Sequence, residues 1–507
     1  MLRSSMAVMS VAASLTGVAH GAGEAEQTAI TIYSSARAGG IAAEMYRPVP
    51  GVATPNAAAI PGYALVRHER TVTLKPGRST LRFSDVAGLI DPTTVTFTSL
   101  TDPSARVLEQ NFQFDLVSSD KLLQKYIDKP ITVERGLGPQ ATSTSGTLLS
   151  SVDGLVMRGG DGSIHSLREW SAVRFGELPG GLITRPTLEW LVSAAKAGEH
   201  RSRVTYQTGG LTWWADYNLI FNEGRDANNG LLDFSAWVSI INQSGASYPD
   251  AKLKLIAGDV HRAEPMADGR MRAMSLAGAA MREEKASFQQ RDFFEFHLYT
   301  LGRRTDLSNN STKQIELFDQ ARQIPVKKML VYAGQAGVTL FDSPYMDRDP
   351  GVATNKKVDV YLEFKNDKQF GLGVPLPSGR IRVSQLDATD GSLEFIGEDR
   401  IDHTPKDEIV RVKLGSAFDV VGERRQIAFA VDSKARWLEE EIEVKLRNHK
   451  SLPVDVIVKE TLYRWSNWQI VSKSQEFEKQ DSRTVHFPLR IAKDGAAAIR
   501  YRVHYSW

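Results

Sequence analysis

The stretch "KVDVYLEFKN", residues 357–366, decides the class of fold. Its apolar side chains fall on every second position, at Val358, Val360, Leu362 and Phe364. Residues that alternate in this way share one side of a β-strand, whereas on a helix they would lie all round the surface. The stretch therefore predicts a strand with one buried face.

The same period of two recurs later in the chain. It is found in "EEIEVKLRNH", "PVDVIVKETL", "TVHFPLRIA" and "AAIRYRVHYSW". Turn-forming stretches such as "KPGRS", "DATDGS" and "AKDGA" are frequent. The pattern predicts a mainly β chain built from several antiparallel β-sandwich (Ig-like) domains.

A partial internal repeat supports this interpretation. Three stretches each run as an alternating strand, an asparagine, a polar turn and a second apolar strand, with the asparagine at Asn242, Asn366 and Asn448. Asparagine suits such a position because its side chain bonds to nearby backbone groups. The spacing is irregular, which favours related hairpins in a few sandwiches over a solenoid.

Residues 120–179 break the pattern of long strands. "DKLLQKYIDKP" places Leu122, Leu123, Tyr126 and Ile127 on one helical face, and about five short strands follow. This order predicts a small closed barrel inserted among the sandwiches, similar to SH3-like and Sm-like barrels. No nucleic-acid partner is expected, because the segment has neither a basic patch nor a platform of stacking aromatics.

Composition excludes several classes of protein. The 507 residues carry 62 Lys and Arg against 60 Asp and Glu, so the net charge of +2 gives no global attraction for nucleic acid. Cysteine is absent, which removes thiolate nucleophiles, disulfides and cysteine-bound metals. No cofactor is expected, because phosphate-binding, dinucleotide-binding and zinc-helix motifs are all missing from the sequence.

The first 21 residues have the layout of a secretory signal peptide. Arg3 precedes an apolar run over 6–18, and the small residues Ala19 and Gly21 precede a plausible cleavage site. We therefore expect residues 1–21 to be removed and the mature chain to lie in the periplasm or to be secreted. No later stretch is apolar for long enough to predict a transmembrane helix in the mature chain.

The remaining chain is expected to form four regions. They are an N-terminal β domain (22–119), the small barrel (120–179), a central sandwich (180–333) and a C-terminal sandwich region (334–507). The central domain carries a predicted flexible insertion, residues 261–289, with four methionines. Such methionines can form an adaptable partner surface, although a mobile insertion is the favoured interpretation.

The stretch "GEDRIDHTPKDE", residues 397–408, is rich in residue types that bind metals or transfer protons. Asp399, Asp402 and His403 are of metal-ligating or acid–base type, and Arg400 stands among them. The spacing matches no calcium loop, and nothing apolar nearby would separate two carboxyl pKa values. The favoured interpretation is a charged turn between two strands, and the alternative is a binding or catalytic cluster.

A second candidate is "GGLTWWADY", residues 209–217. Adjacent residues on a strand face opposite sides, so Trp213 and Trp214 are both in the core only if both sheet faces are covered. An exposed tryptophan beside Asp216 and Tyr217 can stack on a sugar ring or anchor a protein partner. Packing against a neighbouring domain is the favoured alternative.

Five long stretches resemble the bacterial domain of unknown function 4139 family, whose named relatives are called mucoidy-inhibitor proteins. They are "LPGGLITRPTLEWLV" (178–192), "YQTGGLTWWADYNL" (206–219), "NQSGASYPDAKLKLIAGDV" (242–260), "FEFHLYTL" with "NNSTKQIELF" (within 294–318), and "VPLPSGRIRVSQLD" with "FIGEDRIDHTPKDEIVRVKLGSAFDVVGERRQ" (within 374–426). The resemblance covers most of 178–507. It implies a β-rich, exported bacterial protein, and it brings no catalytic residues.

Taken together, these features predict a cell-envelope protein that acts by contact with another envelope protein, a glycan or the cell wall. Whether it is an enzyme stays open, with a non-enzymatic role favoured. The main alternative is an envelope hydrolase or glycan-active enzyme that uses the acids near 399–408. The aromatic alternation that ends at Trp507 also resembles the last strand of an outer-membrane barrel, but charged residues on the candidate outward faces argue against one.

Overall fold

A computed structural model describes residues 27–33, 41–47, 56–136, 138, 141–224, 226, 228–258, 288–293, 296–335, 342–348, 355–387 and 389–507. The predicted signal peptide lies outside these residues. So does the predicted flexible insertion, except for its last two residues.

The described chain is mainly β, as the sequence predicts. Its strands are β1 (Gln27–Tyr33), β2 (Tyr63–Leu74), β3 (Gly77–Ser84), β4 (Ile90–Ser99), β5 (Arg106–Gln113), β6 (Pro130–Arg135), β7 (Thr142–Ser150), β8 (Leu155–Arg158), β9 (Ile164–Leu167), β10 (Ala172–Arg174), β11 (Thr187–Ala194), β12 (Gly198–Thr208), β13 (Leu211–Glu223), β14 (Asn229–Asn242), β15 (Tyr248–Ala257), β16 (Phe288–Phe293), β17 (Phe296–Leu307), β18 (Ser311–Tyr332), β19 (Lys357–Lys365), β20 (Gly379–Leu386), β21 (Leu393–Ile401), β22 (Ile409–Asp432), β23 (Trp437–Asn448), β24 (Val454–Thr461), β25 (Trp468–Lys473), β26 (Glu478–Lys479), β27 (Thr484–Ile491) and β28 (Ala496–Ser506). Two short helices, α1 (Ala43–Tyr46) and α2 (Ser119–Lys125), and the 3-10 turns Ala57–Ala59 and Lys368–Phe370 complete the secondary structure of this part of the chain.

The stretch "KVDVYLEFKN" forms strand β19, with Asn366 directly after it. Val358 and Leu362 are fully buried, Phe364 is almost so, and the alternate charged residues are more accessible. This is the one-sided strand that its period of two predicts.

The described residues divide into two compact units. The smaller unit takes its described residues from within 27–28, 67–85 and 94–206, and the larger takes its described residues from within 29–66, 86–93 and 207–507. In the smaller unit, β11 lies between β3 and β5 in an antiparallel sheet.

The helix and about five short strands predicted for residues 120–179 are present in the smaller unit. Strands β6 to β10 form one sheet in the order β10-β6-β7-β8-β9, so β9 and β10 are its two edges. The predicted closed barrel is therefore wrong. Strands β9 and β10 have only four and three residues, so they could form few hydrogen bonds to each other. The core of this sheet is covered by Leu123 of α2 and by Tyr126, which follows α2.

The larger unit is built on one 13-stranded sheet. Ten strands follow the order β21-β20-β13-β14-β18-β19-β22-β23-β28-β25, and β24, β26 and β27 branch from it. Strand β24 pairs in parallel with β18 and antiparallel with β27. Buried side chains of β22, β23 and β28 pack against those of β24 and β27, which is the arrangement of a sandwich core.

The three repeated asparagines have one structural role. Asn242, Asn366 and Asn448 are at most 1% exposed. Each side-chain oxygen accepts a backbone N–H of the following turn, and each side-chain amide donates to carbonyls of the turn and of a second segment. A single residue type therefore closes three turns by satisfying backbone groups that would otherwise be buried without partners.

Candidate functional site

The tryptophans Trp213 and Trp214 lie on opposite faces of β13, and both faces are covered. Trp213 is 1% exposed and meets the ring of Tyr299 edge-on, with centroids 6.3 Å apart. Trp214 is 7% exposed and packs against Ile41, Ile60 and Ile241, with the ring of Tyr46 centred 5.3 Å away. A segment of the same unit therefore buries the second tryptophan.

Asp216 is a buried carboxylate with several donors around it. Its Oδ2 accepts hydrogen bonds from Trp214 Nε1 at 2.7 Å and from Ser239 Oγ at 2.9 Å. Its Oδ1 lies 3.4 Å from Arg382 Nη1 and 3.6 Å from Arg380 Nε. Because two arginines and two neutral donors surround it, the charge of Asp216 is compensated inside the protein.

Tyr217 points into the core on the other side of β13. It is fully buried, and its hydroxyl donates to the carbonyl of Pro377 at 2.7 Å. Burial, together with the neighbouring Tyr299 and Asp216, raises the pKa of the Tyr217 hydroxyl well above its usual value. Tyr217 is therefore a neutral structural residue that a surface ligand does not reach.

Two candidate residues of the stretch 397–408, Asp399 and His403, bond to backbone groups. Asp399 accepts the N–H of Arg400 at 2.8 Å and, with its other oxygen, the N–H of Lys413 at 2.7 Å. His403 Nδ1 accepts the N–H of Ser378 at 3.1 Å, and the side chain of Asp402 is exposed. Within the described residues no three His, Asp or Glu side chains come together as a metal site. This geometry is that of a charged strand end and turn.

The sheet nevertheless brings the two candidate stretches into one row. Strand β20 lies between β13 and β21, and pairs Asp216 with Arg380, and Arg380 with Arg400. Residues paired in register on neighbouring strands point to the same face of a sheet. Asp216, Arg380 and Arg400 therefore lie side by side on the face of the sheet opposite to Tyr217.

The row continues on the other side of Asp216. Strand β14 places Trp237 beside Asp216, and β18 places Glu316 beside Trp237. A second row beneath it holds Asn218, Arg382 and Glu398. We name these eight residues the polar face: Asp216, Asn218, Trp237, Glu316, Arg380, Arg382, Glu398 and Arg400.

Trp237 is the chemically distinctive member of the polar face. The residue is 36% exposed, while its strand neighbours Ala236 and Val238 are fully buried. An accessible indole with the exposed Glu316 beside it, and with Arg380 on the strand beyond Asp216, offers an acceptor, a donor and a flat apolar surface on one face. Such a combination can stack on the apolar side of a sugar ring and hydrogen-bond to its hydroxyl groups.

Trp237 is absent from the candidates that sequence reasoning selected, although a signal for it exists. In "DFSAWVSII", residues 233–241, the residues Phe234, Ala236 and Val238 alternate as a buried face. Trp237 lies between these positions, so its side chain is expected to point to the opposite, outward face of the strand. The two tryptophans that are candidates on sequence grounds, Trp213 and Trp214, are both buried.

Among the described residues no helix is both long and apolar enough to cross a bilayer. Comparison of the chain with models of known protein families, and with curated proteins, gives no match.

Proposed function

We propose that the chain is an exported protein of the bacterial cell envelope that binds a saccharide chain through the polar face, without catalysing a reaction. The observation that carries the binding role is the accessible indole of Trp237 in a row of charged side chains. An aromatic ring with polar neighbours suits a sugar, whose ring has one apolar side and a rim of hydroxyl groups.

Export is supported by the sequence at the N-terminus. The arginine at position 3, the apolar run over 6–18 and the small residues at 19 and 21 have the order of a cleavable signal. The resemblance to the domain of unknown function 4139 family supports the same compartment. A binding role without catalysis is favoured because Asp399 and His403 accept hydrogen bonds from backbone groups.

The binding test compares two tryptophans of similar exposure. Trp237→Ala removes the indole of the polar face, and Trp170→Ala is the matched control, because Trp170 is 39% exposed in the other unit. Purified wild-type protein and both variants are incubated with insoluble cell-wall polysaccharide and with arrayed glycans. We expect Trp237→Ala to bind at least about tenfold more weakly, and the control to bind as wild type does.

If both variants bind glycans as the wild type does, the polar face is not the glycan-binding site, and the proposal is contradicted. A third outcome is that no glycan binds, while an envelope protein that crosslinks to the wild type does not crosslink to Trp237→Ala. The polar face is then a protein interface. Export is tested separately. The mature protein should be recovered outside the cytoplasm with an N-terminus close to residue 22, and an intact leader would contradict it.

A further inference from the structure

The sheet that carries the polar face becomes apolar toward the turn between β20 and β21. Beyond Arg382 of the polar face, β20 pairs Ser384 with Phe395 and then Leu386 with Leu393. Positions 382, 384 and 386 share one side of β20, and residues paired in register share one face of a sheet. Phe395, Leu386 and Leu393 therefore lie on the same face as the polar face, and we name these three residues the apolar end.

A β-bulge in β21 turns the apolar side chains to this face. Val383 and Ser384 are consecutive in β20, but their partners in β21 are separated by the extra residue Ile396. One extra residue reverses the alternation of the residues before it in the strand. Without the bulge, Phe395 and Leu393 would point to the face on which Val383 is fully buried. The backbone is thus arranged so that these two large apolar side chains meet solvent.

The apolar end is a continuous accessible surface. Leu386 is 46%, Leu393 53% and Phe395 61% exposed. Ile220 is paired with Ser384 beside Phe395 and is partly accessible, so it extends the surface toward β13. Single exposed apolar residues are ordinary, but several neighbours on one face are typical of a contact with an apolar partner.

One extended ligand can contact both Trp237 and the apolar end. Trp237 and Phe395 lie three strands apart, which is about 14 Å at the usual spacing, and four positions apart along the strands, which is about 13 Å. The polar side chains of Asn218 and Arg382 lie between them. A ligand that starts at Trp237 and follows this face therefore meets polar groups first and apolar groups last.

The charges at the apolar end argue against docking on an anionic lipid surface. The segment 386–395 contains Asp387, Asp390 and Glu394 and no Lys or Arg, and the three acids are exposed. Carboxylates are repelled by anionic headgroups, which attract basic segments instead. The apolar end therefore suits a single uncharged hydrocarbon chain better than the surface of a bilayer.

We propose that the saccharide bound at the polar face belongs to a glycolipid, whose hydrocarbon chain lies on the apolar end. This inference rests on the proposed function, because it requires the sugar to be held at Trp237. The order of the ligand, a saccharide followed by an apolar chain, matches the order of the surface from Trp237 through Arg382 to Leu393.

The test measures how tightly three probes bind to the purified mature chain by titration calorimetry, each below the concentration at which it forms micelles. Methyl maltoside is the sugar alone, octyl maltoside adds the chain, and octyl tetraethylene glycol has the chain without the sugar. Phe395→Ser removes the ring of the apolar end. Phe114→Ser is the matched control, because Phe114 is 69% exposed in the other unit.

We expect octyl maltoside to bind at least about tenfold more tightly than methyl maltoside, because each buried CH2 group is worth about fourfold in affinity. Phe395→Ser should weaken octyl maltoside at least about fivefold and leave both methyl maltoside and the melting temperature unchanged. Phe114→Ser should bind every probe as the wild type does. Trp237→Ala should weaken both maltosides, because it removes the sugar contact.

The glycolipid proposal is overturned if octyl maltoside binds no more tightly than methyl maltoside, or if Phe395→Ser binds it as the wild type does. It is also overturned if octyl tetraethylene glycol binds as tightly as octyl maltoside, since the apolar end then takes an apolar partner without a sugar. Failure of the glycan role itself gives a different result. In that case Trp237→Ala binds both maltosides as the wild type does.

Discussion

Arg464 and Glu440 form an ion pair in the interior of the larger unit. Arg464 Nε donates to Glu440 Oε2 at 2.9 Å, and the two side chains are only 1% and 2% exposed. Arg464 also donates to the carbonyl of Asp347 at 2.6 Å and faces the ring of Phe429 at 5.0 Å. A charge held so far from water is stable only while its counter-charge is present.

Loss of either partner should therefore be far more damaging than loss of both. Glu440→Leu leaves the Arg464 guanidinium buried without its carboxylate, and we expect it to lower the free energy of unfolding by about 3–5 kcal/mol. The double variant Glu440→Leu with Arg464→Met should recover a large part of this loss, because no charge is then left unpaired. Urea unfolding of the two single variants and the double variant measures the coupling. Strictly additive losses would contradict the assignment.

The asparagine at the end of β19 should contribute more to stability than an exposed one. Asn366→Ala removes the donor to Val374 and Pro405 and the acceptor for Gly373, so we expect a loss of at least about 2 kcal/mol in unfolding free energy. Asn467→Ala is the control, because this exposed residue donates only to Ser506 Oγ at 2.7 Å among the described contacts. Equal losses in thermal unfolding would refute the role assigned to the buried amide.

Glu443 should make part of the stability depend on pH. Hydrogen bonds from Arg425 and Arg500 lower the pKa of its carboxyl below the usual value. A lowered pKa in the folded state contributes stability above the ordinary carboxyl pKa, and this contribution is lost as the pH falls through the folded value. Glu443→Gln should thus be less stable than wild type at pH 7, with a difference that shrinks as the pH is lowered toward 3.

The matched control for this pH effect is Glu476→Gln. The side chain of Glu476 is 83% exposed and pairs only with Lys473 in the described structure, so its removal should change acid unfolding little. The measurement is the free energy of unfolding in urea at a series of pH values. A difference between wild type and Glu443→Gln that is constant with pH would contradict the coupling.

Gly422 is required because an aromatic ring lies against it. A Cβ atom at this position would overlap ring atoms of Tyr332, whose hydroxyl is held by the carbonyl of Asn355 at 2.7 Å. Gly422→Ala should lower the unfolding free energy by about 1–3 kcal/mol through overpacking. At Gly180 a Cβ would meet no atom within 4 Å, so Gly180→Ala should be neutral or slightly stabilising. Similar melting temperatures for the two variants would show that the ring can move aside.

Local patterns were sufficient to predict the strands and the asparagine turns. The alternation around Val358 and Leu362 depends only on the pleat of one strand, and Asn366 mainly satisfies backbone groups close to it in sequence or in the same turn. The prediction of a closed barrel was wrong because closing a sheet depends on how many hydrogen bonds its two edge strands can form with each other. No local periodicity carries that information.

The polar face was beyond prediction because it depends on register between distant segments. Asp216 and Arg380 are neighbours only because β13 and β20 pair in parallel, and a slip of one residue would turn Arg380 to the other face. Asp216 and Arg400 are both candidate residues on sequence grounds, but no sequence pattern predicts that they share one face of a sheet. The position of Arg380 between them is a property of the assembled sheet.

Strand β22 runs for 24 residues without interruption. Its first part pairs with β19 and its second part with β23, so this one strand connects the part of the sheet that ends at β19 with the part that begins at β23. Because one strand is the hydrogen-bonding partner of both parts, we expect the β19 side and the β23 side of the sheet to unfold in one cooperative step when the unit is pulled apart.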